Sequence, residues 1–442
     1  MNLDKLKKVF SDKGCRKVLY KVLAANDNSK NQIYLGGSMK AANVLPFRNV
    51  RPHRTGLMAK TKRTRKSIFK AELDFSWIVA QGEVCVAPHA QLILYPQYTE
   101  VRFSGFLLGC KRAPNELMRE RQAGRVLFMG ICTDGSILGY AAGHDSPLAK
   151  EVESLGELPL TGVFRELPMQ AAGDPKITLM KELCRIHQKE WIYGKKLNKG
   201  GVKPYKASNA GGYTLEAELG VCANGFSEPD FMGWEVKQHK VSKFGSIAGR
   251  ITLMTPEPTE GYYRDKGAEE FVYRYGAPDK NGVKDRLNFG GVHQVNIRSD
   301  RTGLTLKLDG FDPEEGLADS EGGICLVDDE GNIAAKWPFA GLILHWNRKH
   351  SQAVYVPAIT KKGASSTQYW FGPDVRLGKG TEVQLFLKAM HDGTVFYDPG
   401  IKVENVSTRP KIKRRNQFRI SSKNMNCLYD NMTTESVLNY QD

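Results

Sequence analysis

The stretch Gly211–His239, GGYTLEAELGVCANGFSEPDFMGWEVKQH, decides how the rest of the chain is read. Its first part is patterned as a short helix from Thr214 to about Val221. A polar turn over Asn224–Pro229 follows, and then an extended segment from Asp230 to Gln238. Side chains alternate along an extended segment, so Trp234 and Val236 point to one face while Glu235 and Lys237 share the other. The turn delivers Asp230 beside that charged face.

Two carboxylates brought within a few ångströms repel, and a divalent cation between them removes the cost. Mg2+ suits hard oxygen ligands, polarises a phosphate oxygen and lowers the pKa of a bound water. Lys237 would hold the attacking water and neutralise charge on the scissile phosphate, so the implied chemistry is hydrolysis of a phosphodiester. Glu-x-Lys alone arises about twice by chance in a chain of this length and ordinary composition. The preceding Pro-Asp, the alternating strand and the Gly-rich turn make the combination far more specific. The competing reading is a solvated strand edge carrying a surface ion pair.

Pro229-Asp230, four residues, then Glu235-Val236-Lys237 is the PD-(D/E)xK pattern. With GGYTLEA and SEPDFMGWEVKQ around it, the region resembles the MvaI/BcnI restriction endonuclease family and, more distantly, the MutH mismatch-repair nickase. The resemblance runs from about Asp174 to the C-terminus. It implies an α/β, MutH-like endonuclease domain with a mixed central sheet, Asp230 and Glu235 as metal ligands, and Glu216 on the preceding helix completing the acidic site. Glu218, two residues on, faces away and is the weaker candidate.

Working outward, 442 residues imply two or three domains. A net charge of +16 calls for a polyanionic partner, nucleic acid ahead of an acidic membrane surface. No apolar run is long enough to span a bilayer and MNLDKLKKVFSDKG has no signal-peptide core, so a cytoplasmic location is expected. Eight cysteines are scattered singly, which argues for reduced thiols rather than zinc or a disulfide framework. Nothing points to an organic cofactor.

Residues 1–168 are patterned as a mostly β domain. Strands are expected at Lys17–Leu23, Gln32–Gly37, Phe69–Val79, Glu83–Ala87, Ala90–Tyr95, Val101–Leu108 and Arg125–Thr133, and so many short strands suggest a barrel. Arg48–Lys70 carries nine Lys or Arg and no acidic residue, a solvated face or loop that fits phosphate contact. LAANDNSKNQIYLGG and YPQYTEVRFSGF resemble the two arms of an EcoRII-type, B3-like DNA-binding effector pseudobarrel. That likeness implies base and phosphate contacts from Lys30, Asn31 and Gln32 on one arm and Gln97, Glu100 and Arg102 on the other. Ordinary turn and strand-edge chemistry is the alternative for all six.

ELPLTGVFRELPMQAAGDP reads as a linker, its core at 169–176, and the endonuclease domain occupies 177–442. Asp174-Pro175 is a helix start, with Ile177, Met180, Leu183, Cys184 and Ile186 as its apolar stripe. Further strands are expected at Gly249–Met254, Gly291–Arg298, Leu304–Leu308, Gly341–Trp346, Val354–Pro357 and Gly380–Ala389. WNRKHSQAVYVP is similar to the MutH-like stretch that supplies an additional lysine, which makes Lys349 a second cation for the phosphate, with Arg348 and His350 as off-by-one neighbours and a plain surface basic cluster as the alternative. In TRPKIKRRNQFRI, Arg415, Gln417 and Arg419 fall on one side of an extended stretch. With His391 they are the family-implied DNA contacts, a non-specific phosphate clamp being the bland alternative. His239, His293 and His345 rank lower.

The reading is a Mg2+-dependent type II, type IIE-like restriction endonuclease acting on double-stranded DNA at a CCWGG-like site, CCSGG next, with one or two ions per site. The resemblance implies a monomer in solution and a cognate DNA methyltransferase in the same system. Two alternatives stay open: a MutH-like nickase or modification-dependent nuclease, and a non-enzymatic DNA-binding regulator.

Overall fold

The computed structural model describes residues 1–25, 32–58, 65–79, 82–169, 174–222, 229–246 and 249–441. The chain divides into two compact units, Met1–Ala172 and Gly173–Asp442. No helix among the described residues is long and apolar enough to cross a membrane.

The first unit is mostly strands, arranged as two sheets. In the seven-stranded sheet, Cys15–Leu23 and Arg125–Cys132 run antiparallel at the centre, and Leu160–Thr161 and Val84–Val86 are the edges. The five-stranded sheet runs from Gln32–Gly36 to Arg48–Met58. The amphipathic helix Leu3–Asp12, capped by the Asn2 side chain on the Lys5 N–H, buries Leu6 and Phe10 against the larger sheet. Both sheets end in edge strands, so the described strands form no closed barrel, and the expected B3-like pseudobarrel is not confirmed.

Three local expectations are corrected here. Phe69–Val79 is not one strand. The chain breaks at Leu73–Asp74, and Arg65–Glu72 and Phe75–Ile78 join different sheets. The first part of the expected linker belongs to the larger sheet: Phe164–Leu167 pairs with Cys15–Leu23 because Phe164 and Leu167 are fully buried. The basic run is not a free loop, since its described parts, Arg48–Met58 and Arg65–Glu72, pair as antiparallel strands.

In the second unit, Gln352–Lys362 is the centre of a mixed sheet. Successive parts of it pair antiparallel with Asp374–Lys379 and Thr367–Phe371, and Glu235–Lys240 runs parallel to it. Asn431–Ser436 and Ile192–Tyr193 complete the sheet. One face buries Trp234, Val236, Val354 and Val356 against Leu179, Met180, Leu183 and Ile186 of the helix Pro175–Gln188. Asp174 caps that helix through the Lys176 N–H at 2.8 Å. Its stripe is shifted slightly from expectation, with Leu179 buried and Ile177 left 44% exposed. Alternation then places Glu235 and Lys237 on the opposite face.

Two expected strands are helices. Phe339–His350 and Val383–His391 are helical where Gly341–Trp346 and Gly380–Ala389 were expected extended. In the first, Phe339, Leu342, Ile343 and Trp346 are buried at three- and four-residue spacing, a helical stripe that an uninterrupted apolar run conceals. Gly291–Arg298 makes only isolated bridges, through His293, Val295 and Arg298.

Gly341 tests the helix directly. It is exposed in the first turn, and a methyl group there meets nothing within 4 Å. Gly341→Ala is expected to stabilise the protein by about 0.5 to 1 kcal/mol in urea denaturation. A loss of stability would instead favour an extended segment.

Candidate active site

A two-residue turn presents Asp230. Phe231 and Trp234 exchange both backbone hydrogen bonds around Met232 and Gly233, whose φ angles of 47° and 87° are the left-handed pair that tight hairpins use. The expected extended segment is therefore a turn up to Trp234, and the strand starts at Glu235. The Asp230 carboxylate accepts the Val236 N–H at 2.9 Å, which fixes it against the first residues of the strand.

Glu235 is 2% exposed. Its Oε1 accepts from Lys237 Nζ at 2.6 Å and has Lys349 Nζ at 3.9 Å. Glu216 lies on the helix Ala210–Glu218 and feels the charges of Asp230, Glu235, Lys237 and Lys349. Burial, followed by repulsion from Asp230 and Glu235, pushes its carboxyl up to about 7. Burial and Glu235 push Asp230 up to about 6. Burial works against the Lys237 ammonium, but the attraction of Glu235 and its hydrogen bond outweigh it, and the pKa ends above the ordinary lysine value.

Glu216, Asp230, Glu235, Lys237 and Lys349 thus form one electrostatic cluster assembled from a helix, a turn, a strand and a second helix. Lys349 is carried by the last turn of Phe339–His350. Glu218 faces away as expected: its carboxylate is held by Lys189 and Lys195, with Arg185 at 3.7 Å.

The donor set fits a divalent cation in one specific respect. Glu235 Oε2 is buried and has no hydrogen-bond partner, which is costly for a carboxylate oxygen unless a cation takes it up. Among the described residues, no three acidic, His or Cys side chains already close into a metal cage. Lys237 instead neutralises Glu235, and Glu216 and Asp230 lie at the range of electrostatic coupling.

Sequence reasoning passed over what stands behind these groups. Tyr355 pairs in register with Lys237, and its hydroxyl lies 2.7 Å from that of Tyr429, which lies 3.5 Å from His350 Nδ1. His350 Nε2 faces the Leu253 carbonyl at 3.1 Å. A carbonyl only accepts, so Nε2 carries the proton and Nδ1 accepts from Tyr429. This buried chain braces the helix end that bears Lys349 against the strand beside Lys237. His345 also borders the cluster: burial, then Lys349 and Lys237, hold its imidazole down at about 4, so it is neutral. His293 is a core residue, bonded to Thr302 and close to the Gly291 carbonyl.

The tail residues divide. Along 415–420 exposure alternates, with Arg415, Gln417 and Arg419 on the open side and Asn416, Phe418 and Ile420 buried. Arg415 donates to Ser208 at 3.0 Å, at the edge of a cleft of about 720 Å3 also lined by Lys280, Arg286, Arg301, Lys402 and Arg414. Ser208 precedes the helix that carries Glu216. Gln417 contacts Thr252 at 3.5 Å, and Arg419 is paired with Asp398 at 2.7 Å. His391 is exposed beside Asp392 and does not line the cleft.

In the first unit, Arg102 donates to Gln32 at 3.2 Å and pairs with Glu100 at 2.9 Å, so these three candidates converge. Gln97 is exposed on the adjoining 3-10 turn. Lys30 and Asn31 lie outside the described residues.

The raised Glu216 carboxyl carries a stability consequence. A carboxyl whose folded pKa exceeds its ordinary value of 4.5 contributes fully below that pH, and the contribution is lost as pH rises through about 7. In chelator-treated protein, Glu216→Gln is therefore expected to raise unfolding stability at pH 8 by on the order of 2 kcal/mol and to leave it unchanged at pH 4. Equal effects at the two pH values in urea denaturation would contradict the placement.

No curated protein sequence matches the chain. Two solved structures, described as "Restriction endonuclease MvaI-cognate DNA substrate complex" and "Restriction endonuclease MvaI in the absence of DNA", align at 19% identity over 60% of this chain and 99% of theirs, with TM-scores of 0.45 and 0.33. The model of the MvaI/BcnI restriction endonuclease family matches residues 180–429, more than half of the chain, a range within which the acidic and basic cluster lies. On that match, the chain belongs to the MvaI/BcnI restriction endonuclease family.

Proposed function

We propose that this type II restriction endonuclease hydrolyses both strands of duplex DNA at a short CCWGG-like site, with CCSGG the next choice, in a Mg2+-dependent reaction. Catalysis is assigned to Glu216, Asp230, Glu235, Lys237 and Lys349. The observation that carries the assignment is Glu235, a buried carboxylate with one oxygen on Lys237 and the other without a partner. Asp230, Glu235 and Glu216 would hold the ion, which when bound polarises a phosphate oxygen and acidifies a coordinated water.

The remaining roles belong to the chain itself. Lys237 stays protonated and offers N–H donors to the attacking water and a phosphate oxygen. Lys349 adds a second ammonium for the charge that develops on the phosphate. The basic cleft beside Ser208 supports a reading in which the duplex lies along Arg286, Arg301 and Arg415 by phosphate contact. Arg415, Gln417, Arg419 and His391 are the proposed base and backbone contacts, and arginine forks suit guanine. Arg419 would have to leave Asp398 to reach a base.

The first unit is proposed to bind a further copy of the site through Lys30, Asn31, Gln32, Gln97, Glu100 and Arg102, a type IIE-like organisation. The specificity and the effector role rest on the resemblance. The enzyme is proposed to act as a monomer, nicking the two strands in turn, with a cognate DNA methyltransferase protecting the host site.

Digesting a plasmid of known sequence with Mg2+ and mapping the ends tests the site directly. Glu235→Ala and Lys237→Ala are each expected to cut at least about a thousandfold more slowly while retaining gel-shift affinity. Undiminished cutting by either variant removes the assignment, and nicking without linearisation favours the MutH-like alternative. Tyr429→Phe, which removes only the middle hydroxyl of the chain behind Lys349, should lower kcat by about tenfold with DNA affinity unchanged. An unchanged kcat would make that chain purely structural.

A further inference from the structure

The first unit contains two pairs of cysteine thiols that spacing in the sequence does not suggest. Cys85 and Cys110 bring their sulfurs to 2.6 Å, and Cys15 and Cys132 to 2.8 Å, little more than the S–S bond of about 2.05 Å. All four are free thiols.

The two pairs sit in different surroundings. Cys15 and Cys132 face each other across adjacent strands and are 5% and 9% exposed. Cys85 lies on Val84–Val86, the edge strand of the larger sheet, between Val84 and Val86, which are 43% and 61% exposed. Cys110 is buried on the loop that follows Gly105. Its thiol donates to Cys85, the Arg112 backbone N–H bonds the Cys85 sulfur, and the Arg112 guanidinium, paired with Glu83, adds positive charge nearby. These contacts hold the Cys85 thiol below the usual cysteine value, while burial and the bond to Cys85 push Cys110 up. A half-buried thiol of lowered pKa next to a buried thiol of raised pKa divides the chemistry into an attacking and a resolving partner. Among the described residues no cluster of His, Cys, Asp or Glu is placed to complete a metal site around the pair.

We infer that Cys85 and Cys110 form an oxidisable dithiol, a modification site for hydrogen peroxide in which Cys85 reacts first and Cys110 closes an intramolecular disulfide. The Cys85 thiolate attacks one peroxide oxygen, the O–O bond breaks, and the departing hydroxide takes a proton to become water, leaving a sulfenic acid. Cys110 loses its proton and attacks the Cys85 sulfur, the S–O bond breaks, and a second water leaves. Two thiols lose two electrons and one peroxide becomes two waters. The product ties the edge strand to the 105–113 loop.

The test treats reduced full-length protein with hydrogen peroxide, blocks remaining thiols with N-ethylmaleimide and maps the unreduced peptides by mass spectrometry. The expected result is a linked peptide containing Cys85 and Cys110, two hydrogens lighter than its parts, forming about tenfold faster than any Cys15–Cys132 link. Cys110→Ser should leave Cys85 trapped as a sulfenic acid that dimedone labels, and Cys85→Ser should leave Cys110 a maleimide-reactive thiol. The inference is overturned if wild-type Cys85 and Cys110 both carry maleimide after the exposed Cys222 and Cys427 have been oxidised. It is equally overturned if Cys110→Ser yields no dimedone adduct at Cys85.

Discussion

A carboxylate that is almost wholly buried must be neutralised, and Glu235 is neutralised on one side only. Lys237 satisfies Oε1, while Oε2 faces no donor, and the neighbouring Glu216 and Asp230 are pushed toward their protonated forms. The unfavourable electrostatics are local, and the surrounding fold holds them in place. With Trp234 before the strand and Val236 on it both locked in the core, Glu235 and Lys237 cannot rotate to solvent without exposing that core. Such a concentration of acidic groups around one unpartnered carboxylate oxygen supports the proposal that the site holds a cation.

The scaffold brings groups distant in sequence to this point by simple means. The Met232-Gly233 turn aims Asp230 back at the strand, the parallel pairing of Glu235–Lys240 with Gln352–Lys362 brings in Tyr355, and the helix ahead of that central strand carries Lys349 in its last turn. Membership of the MvaI/BcnI restriction endonuclease family makes this chain a type II site-specific deoxyribonuclease. On the proposed assignment, the protonated lysine beside acidic groups divides the work: one charge type would receive the cation, the other the phosphate.

Much of this arrangement was legible in the residues. Period-two alternation was enough to put Glu235 and Lys237 on one face, and helical spacing was enough to separate Glu216 from Glu218. The failures have physical causes. Leu342-Ile343-Leu344, inside the expected strand, is an apolar run that suits a buried strand as well as a buried helix, and only the flanking Phe339 and the downstream Trp346 reveal the helical stripe. The Phe231–Trp234 turn was invisible because Met232 adopts a positive φ that sequence preference disfavours. Tyr429 reaches Tyr355 from 74 residues away, and Cys132 reaches Cys15 from 117. No local pattern encodes such contacts, which arise only from the tertiary fold.

The most direct measurement is the number of protons released when Mg2+ binds in the absence of DNA, taken from calorimetric titrations in buffers of different ionisation enthalpy. With Glu216 near 7 and Asp230 near 6, binding at pH 6.5 should release protons, and binding at pH 8 should release almost none. Glu235→Ala should abolish the binding heat at both. Proton release that is the same at the two pH values, or undiminished binding by Glu235→Ala, would contradict the claim that these carboxylates share a cation.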